Sequence, residues 1–109
     1  MHPHQTPTDL LELAAAHLRM AAGDATQRSG DDAFSPWHAY AGQLDLTASG
    51  LSHGRGITPQ VADHAGVLAH LELAIQALDR IPPGGGPPEV ALWFWQLHEL
   101  RRAAQEMAA

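Results

Sequence analysis

The stretch that decides the fold is Val90-Ala91-Leu92-Trp93-Phe94-Trp95-Gln96-Leu97, which holds two of the three tryptophans of the 109-residue chain. At 100° per residue on a helix, one broad apolar stripe collects Val90, Trp93, Phe94, Leu97, Leu100, Ala104 and Met107. Trp95 points well away from that stripe. The stretch therefore predicts a helix with one face in a core and one tryptophan outside it.

Three further helices are predicted from apolar periodicity and from start and stop signals. The second begins at Ser35-Pro36, where a serine N-cap precedes a proline at the first helical position. Thr58-Pro59 repeats that signal for the third, and Pro88-Glu89 opens the fourth. Gly23 is expected to stop the first helix. The predicted helices span residues 8–22, 36–53, 59–80 and 88–108, separated by a loop over 23–35 and a Pro/Gly linker over 81–88.

The fold class predicted from these elements is all-α, a single-domain antiparallel four-helix bundle over residues 1–109. No period-two alternation of useful length appears, so no strand is assigned. A chain of this length buries a core without metal or disulfide support. The last two connections are short, which favours antiparallel neighbours, and we expect the third and fourth helices to form the central pair.

Composition excludes several function classes. The formal net charge is −6, and the basic residues are six scattered arginines, which is not a footprint for nucleic acid. Cysteine is absent, so there is no disulfide, thiol nucleophile or thiolate metal site. No apolar run approaches the roughly 20 residues of a spanning helix, and the first residues lack the regions of a signal peptide. We expect a cytoplasmic protein that binds no nucleic acid, membrane or cofactor.

The eight histidines are candidate bases and metal ligands. Di-metal bundles use Glu-x-x-His on two helices, and that pattern is absent. We therefore predict no metal ligands and place the histidines at surfaces or flanks, with a site built across helices as the alternative. His64 is the exception because it falls within an apolar seam. A buried imidazole needs a hydrogen-bond partner, and the candidates on the second helix are Tyr40, Gln43 and Thr47.

No motif carries catalytic chemistry. The chain has no Gly-x-Ser-x-Gly elbow, and Gly84-Gly85-Gly86 has neither a preceding strand nor a following Lys-Ser/Thr pair. Ala62 and Gly66 have the spacing of a helix-turn-helix, but the segment after them has no Arg or Lys. We predict no catalytic residue and do not favour an enzyme or a DNA-binding protein.

The residue that the core leaves out is the main clue to function. Trp95 has His98, Glu99 and Arg102 at i+3, i+4 and i+7, and Leu92 one turn before it. An exposed aromatic side chain with a polar rim is typical of an interface anchor. The leading prediction is a non-enzymatic helical protein that self-associates, as a homodimer, or docks another protein through this face. The opposing interpretation is that a crossing helix or the long loop covers Trp95.

A second interpretation is a bundle that binds a small apolar ligand between its helices. The candidate lining residues are large and mostly aromatic, as is typical of such pockets. They are Trp37, Tyr40, His64, Trp93 and Phe94.

Overall fold

The computed structural model describes residues 6–32, 34–52, 66–82 and 84–108. Within these ranges it contains four helices and no strand: α1 (Pro7–Ser29), α2 (Pro36–Leu51), α3 (Val67–Asp79) and α4 (Val90–Ala108). They form a body of 45 × 24 × 23 Å. The predicted all-α four-helix fold is confirmed.

Helix starts follow the capping residues. At α1 the Thr6 hydroxyl accepts the Asp9 N–H, and the Asp9 carboxylate accepts the Thr6 N–H, both at 3.1 Å. This is a capping box, which satisfies two amide donors that the first turn leaves without helical partners. At α2 the Ser35 hydroxyl accepts the Trp37 N–H, as the serine-proline signal predicts.

The predicted end of α1 was wrong. The helix continues through Gly23 to Ser29, so most of the predicted loop 23–35 is helical. Ala25 and Ser29 are buried, and the Thr26 hydroxyl donates to the Ala22 carbonyl. A glycine inside a helix costs about 1 kcal/mol, and burial of this last part of α1 outweighs that cost.

Smaller corrections apply to the other bounds. Helix α2 ends at Leu51 rather than residue 53, because Ser52 is already extended. Helix α3 begins at Val67, because Gly66 has a φ of +94°, which a helix does not allow. The predicted helical residues 59–65 lie outside the described residues. Helix α4 begins at Val90 rather than residue 88, after a turn closed by the Val90 N–H and the Pro87 carbonyl.

Helix α1 makes the most extensive contacts in the bundle, so the prediction that α3 and α4 form the central pair is wrong. It packs extensively against both α2 and α3, whereas α4 packs against α3 and meets α2 at fewer points. Its inward positions are mostly alanine, which lets neighbouring backbones approach closely; Ala14, Ala15, Ala21 and Ala25 are fully buried. The order of the helices around the bundle is therefore α1, α2, α4, α3.

Contacts between neighbouring helices join early residues of one to late residues of the other. The Arg28 guanidinium, near the end of α1, lies 4.8 Å from the ring centroid of Trp37 at the start of α2. Glu12, near the start of α1, accepts the Ser52 hydroxyl just after α2 ends. The antiparallel sense of the helices stays a prediction, and these contacts support it.

The core confirms the predicted phase of the fourth helix. Leu71 and Leu97 are completely buried, and Leu100 and Ala104 are buried beside Leu97. The largest fully buried side chains are Leu18, Leu44, Leu51, Leu71, Leu78, Leu97, His70 and Val67. None of the helices in the described ranges combines the length and the apolar character needed to cross a membrane.

Candidate functional site

The side of α4 opposite the core carries two large apolar residues in solvent. Leu92 and Trp95 are each 58% exposed, and they lie one turn apart on the same side of the helix. Together with His98, Glu99 and Arg102 they form what we call the α4 outer face. Among the described residues, neither a crossing helix nor the connection between α1 and α2 covers Trp95, and its side chain is accessible.

The polar part of the α4 outer face contains both signs of charge. Nη2 of Arg102 lies 2.6 Å from Oε2 of Glu99. The His98 ring meets the Phe94 ring edge-on, with centroids 4.7 Å apart. These contacts hold the polar side chains next to Trp95. Because Glu99 and Arg102 carry opposite charges, their ion pair adds no net charge to the face.

A third exposed apolar side chain lies on α2, which neighbours α4. The contacts between α2 and α4 include the Trp93 ring, which packs on Gly50, and the Tyr40 hydroxyl, which donates to the Leu100 carbonyl. Leu46 lies between these two places along α2 and is 76% exposed. Leu46 therefore adds exposed apolar surface to α2.

The described residues of the predicted ligand pocket pack in different parts of the bundle. Trp37 packs edge-on against Tyr40, with ring centroids 5.8 Å apart, and Tyr40 reaches Leu100. Trp93 contacts Gly50 instead, ten residues and about 15 Å further along α2 than Tyr40. His64 lies outside the described residues, and its predicted partners Tyr40 and Thr47 donate to carbonyl groups.

Two cavities lie near the start of α4. The larger, of 460 Å³, is lined by the end of α3, the Pro/Gly linker and α4, and Phe94 is the member of the predicted pocket that it contains. The smaller, of 210 Å³, is lined by Trp93 together with Leu11, Gly50, Leu51, Pro87 and Glu89. Phe94 and Trp93 therefore line different cavities.

A buried histidine pair is the feature that the sequence interpretation missed. His17 and His70 were expected at surfaces or flanks; they are 7% and 0% exposed, and their Nδ1 atoms are 3.1 Å apart. Both histidines are buried because α1 and α3 each pack against two other helices, so each helix buries a wider part of its circumference than a single apolar stripe. The signal was in the spacing: His70 falls three residues after Val67 and four before Ala74, both buried.

The charged neighbour of this pair is Asp24. Its Oδ2 lies 4.0 Å from Nε2 of His70 and accepts the Gly66 N–H at 3.1 Å. In the described part of the chain, no three His, Cys, Asp or Glu side chains are grouped to hold a metal ion.

No protein-family model, curated protein or solved structure matches this chain.

Proposed function

We propose that this protein is a non-enzymatic helical protein that self-associates through the α4 outer face. The observation that carries the proposal is the exposure of Trp95 and Leu92, side by side and directly opposite the buried face of α4. Burying a tryptophan and a leucine removes a large apolar area from water, at about 25 cal/mol per Å². Aromatic side chains of this kind dominate the binding energy of interfaces.

The partner we favour is a second copy of the same chain. A two-fold symmetric contact brings the same patch together twice, so the patch must complement itself. The α4 outer face satisfies this condition because Glu99 and Arg102 lie on one stripe, and each can pair with its opposite in the other copy. Another protein docked on this face is the alternative occupant, and the cytoplasm is the compartment we propose.

The size of the face sets the expected affinity. A single helix face with one tryptophan is at the low end of the range of interface areas, where complexes are weak or transient. We therefore expect a dissociation constant of about 10–100 µM, which corresponds to about 5–7 kcal/mol.

Concentration-dependent NMR spectra test where the copies meet. The Trp95→Phe variant identifies which of the three tryptophan indole N–H signals belongs to Trp95. On dilution across the expected affinity range, the Trp95 indole and the amides of Leu92, Glu99 and Arg102 should shift. The amide of Leu73, which is exposed on α3, serves as the control. Shifts confined to other helices would overturn this choice of surface.

The 460 Å³ cavity favours a second candidate function, binding of a small apolar molecule. Its volume falls within the range of ligand pockets, and Leu78, Ile81, Val90 and Phe94 give it an apolar lining. The fluorescent probe anilinonaphthalene sulfonate tests it. The native protein should enhance the probe's fluorescence, Ala91→Trp should abolish the effect by filling the cavity, and Ala69→Trp, on α3, should not. No enhancement with the native protein would remove this candidate.

A further inference from the structure

The 460 Å³ cavity between the end of α3, the Pro/Gly linker and the start of α4 has one charged side chain in its described lining. That side chain is the carboxylate of Asp79, and the other described lining residues are apolar or glycine. Asp79 is exposed and forms no ion pair with the other described residues. The charge that this lining contributes is therefore negative.

The described lining offers hydrogen-bond acceptors but no side-chain donor. A carboxylate accepts hydrogen bonds and donates none. Pro82, Pro87 and Pro88 line the cavity, and proline has a carbonyl oxygen but no amide hydrogen. The Val90 amide, also in the lining, already donates to the Pro87 carbonyl. A ligand whose polar group donates hydrogen bonds therefore suits this lining better than one whose polar group only accepts them.

The ends of two helices border the cavity, and their dipoles have opposite signs. Helix α3 ends at Asp79, and its last turn contains no basic residue. The carbonyl end of a helix carries a partial negative charge, to which Asp79 adds a full one. Helix α4 begins at Val90, and its amide end carries a partial positive charge of similar size. Because the two partial charges offset each other, the carboxylate of Asp79 sets the sign of the charge at the cavity.

The charged residues next to the lining in the chain do not change that sign. Arg80 follows Asp79, and Glu89 precedes Val90; both are exposed, and neither lines the cavity. They carry opposite charges, and salt screens charges in solvent. Asp79 thus remains the charge that a bound molecule meets.

Phe94 adds an aromatic surface on the α4 side of the cavity. Its ring is half-buried and meets the His98 ring edge-on. The face of an aromatic ring attracts a cation, because the ring quadrupole places negative charge there. Together with Leu78 and Ile81, Phe94 also supplies the apolar contact that a hydrocarbon body needs.

We propose that this cavity binds a small organic cation, an apolar body that carries one ammonium group. The ammonium pairs with Asp79, and the body packs against Leu78, Ile81 and Phe94. The proposal rests on the candidate function of this cavity as a small-molecule site, and it names the class of the ligand. It is independent of self-association through Leu92 and Trp95, which do not line the cavity.

Three ligands that share one ring system and differ in charge test the proposal. They are naphthylmethylammonium, naphthalenemethanol and naphthoate, all substituted at the same ring position, which at pH 7 are a cation, a neutral alcohol and an anion. NMR titration at the amides of Ala91 and Phe94 gives the dissociation constants, with the amide of Leu46 on α2 as the control. The native protein should bind the cation about tenfold more tightly than the anion, because an exposed carboxylate attracts one and repels the other by up to about fivefold each.

A matched pair of variants assigns this preference to Asp79. Asp79→Asn removes the charge and nearly keeps the size of the side chain, so it should lose most of the preference for the cation. It should also increase the fluorescence enhancement of anilinonaphthalene sulfonate, because the sulfonate is no longer repelled. Asp45→Asn, at an exposed site on α2, should keep the native preference.

The outcomes separate the class of ligand from the function of the cavity. Equal affinity of the native protein for the three ligands, or tightest binding of the anion, would overturn the proposal and leave the cavity a small-molecule site. A preference for the cation that persists in Asp79→Asn would overturn it as well. If none of the three ligands binds and the fluorescent probe is not enhanced, both the ligand class and the small-molecule function are wrong. The comparison of the three ligands on the native protein is decisive even if Asp79→Asn does not fold.

Discussion

The ring of Trp93 on α4 packs directly against Gly50 on α2, so closely that a Cβ atom at position 50 would lie 2.6 Å from Cη2 of the ring. This contact is one of those that join α4 to α2. It holds Trp93 inward, while Trp95, two residues later, points into solvent. The division of α4 into a core face and an outer face is therefore fixed in part by a glycine on another helix.

Substitution of that glycine should destabilise the fold. Overpacking costs about 1–3 kcal/mol, and the higher helix propensity of alanine returns about 1 kcal/mol, so Gly50→Ala should lower the free energy of unfolding by up to about 2 kcal/mol. Gly42→Ala, on the same helix, meets no atom within 4 Å and should raise it by about 0.5–1 kcal/mol. Urea denaturation measures both, and changes of the same sign would contradict the Trp93 contact.

Truncation of the core leucines should strongly destabilise the fold. Leu71 on α3 and Leu97 on α4 are completely buried, so Leu71→Ala and Leu97→Ala should each lower the free energy of unfolding by about 2–5 kcal/mol through lost burial and a residual cavity. Leu46→Ala, at a site 76% exposed, should change it by about 0.5 kcal/mol or less. Losses below about 1 kcal/mol at both core sites would mean that the packing between α3 and α4 is wrong.

The single tyrosine should show a pH dependence at the alkaline end. Tyr40 is buried, its hydroxyl donates to the Leu100 carbonyl, and burial raises the pKa of its phenol above 10. The folded state then resists ionisation more than the unfolded state. Stability from this group is complete below the unfolded pKa, near 10, and is lost as the pH rises above it.

Ultraviolet titration of phenolate reports on Tyr40 alone, because the chain has one tyrosine. Ionisation should begin only where the protein unfolds. Tyr40→Phe should be about 1 kcal/mol less stable than the native protein at pH 7, and this difference should become smaller above pH 10. A phenol that ionises near pH 10 while the helices remain intact would contradict its burial.

The local part of the fold was predictable from the sequence, because caps and apolar periodicity act within a few residues. The Ser35-Pro36 signal correctly predicted the start of α2. The apolar stripe of α4 correctly predicted that Leu97, Leu100 and Ala104 lie in the core. The predicted end of α1 at Gly23 was wrong, because the energetic cost of a glycine in a helix is smaller than the free energy gained by burying Ala25 beyond it.

The pairing of distant groups was not predictable in the same way. His17 and His70 each sit in register with buried neighbours, so their burial had a sequence signal, but their contact joins residues 53 positions apart. It depends on how α1 and α3 pack, which periodicity on one helix does not specify. The exposure of Trp95 was predicted from its helical phase. Only the three-dimensional packing shows that none of the described elements covers it.

Self-association through the α4 outer face is tested most directly by sedimentation equilibrium from about 10 µM to about 1 mM, the range set by the expected affinity. The native protein should rise from its chain mass of 11.7 kDa towards twice that value. Trp95→Ala, which removes an exposed side chain and should leave the thermal midpoint nearly unchanged, should remain at the chain mass throughout. A native protein that stays at 11.7 kDa at the highest concentration, or a Trp95→Ala variant that associates equally well, would contradict the account.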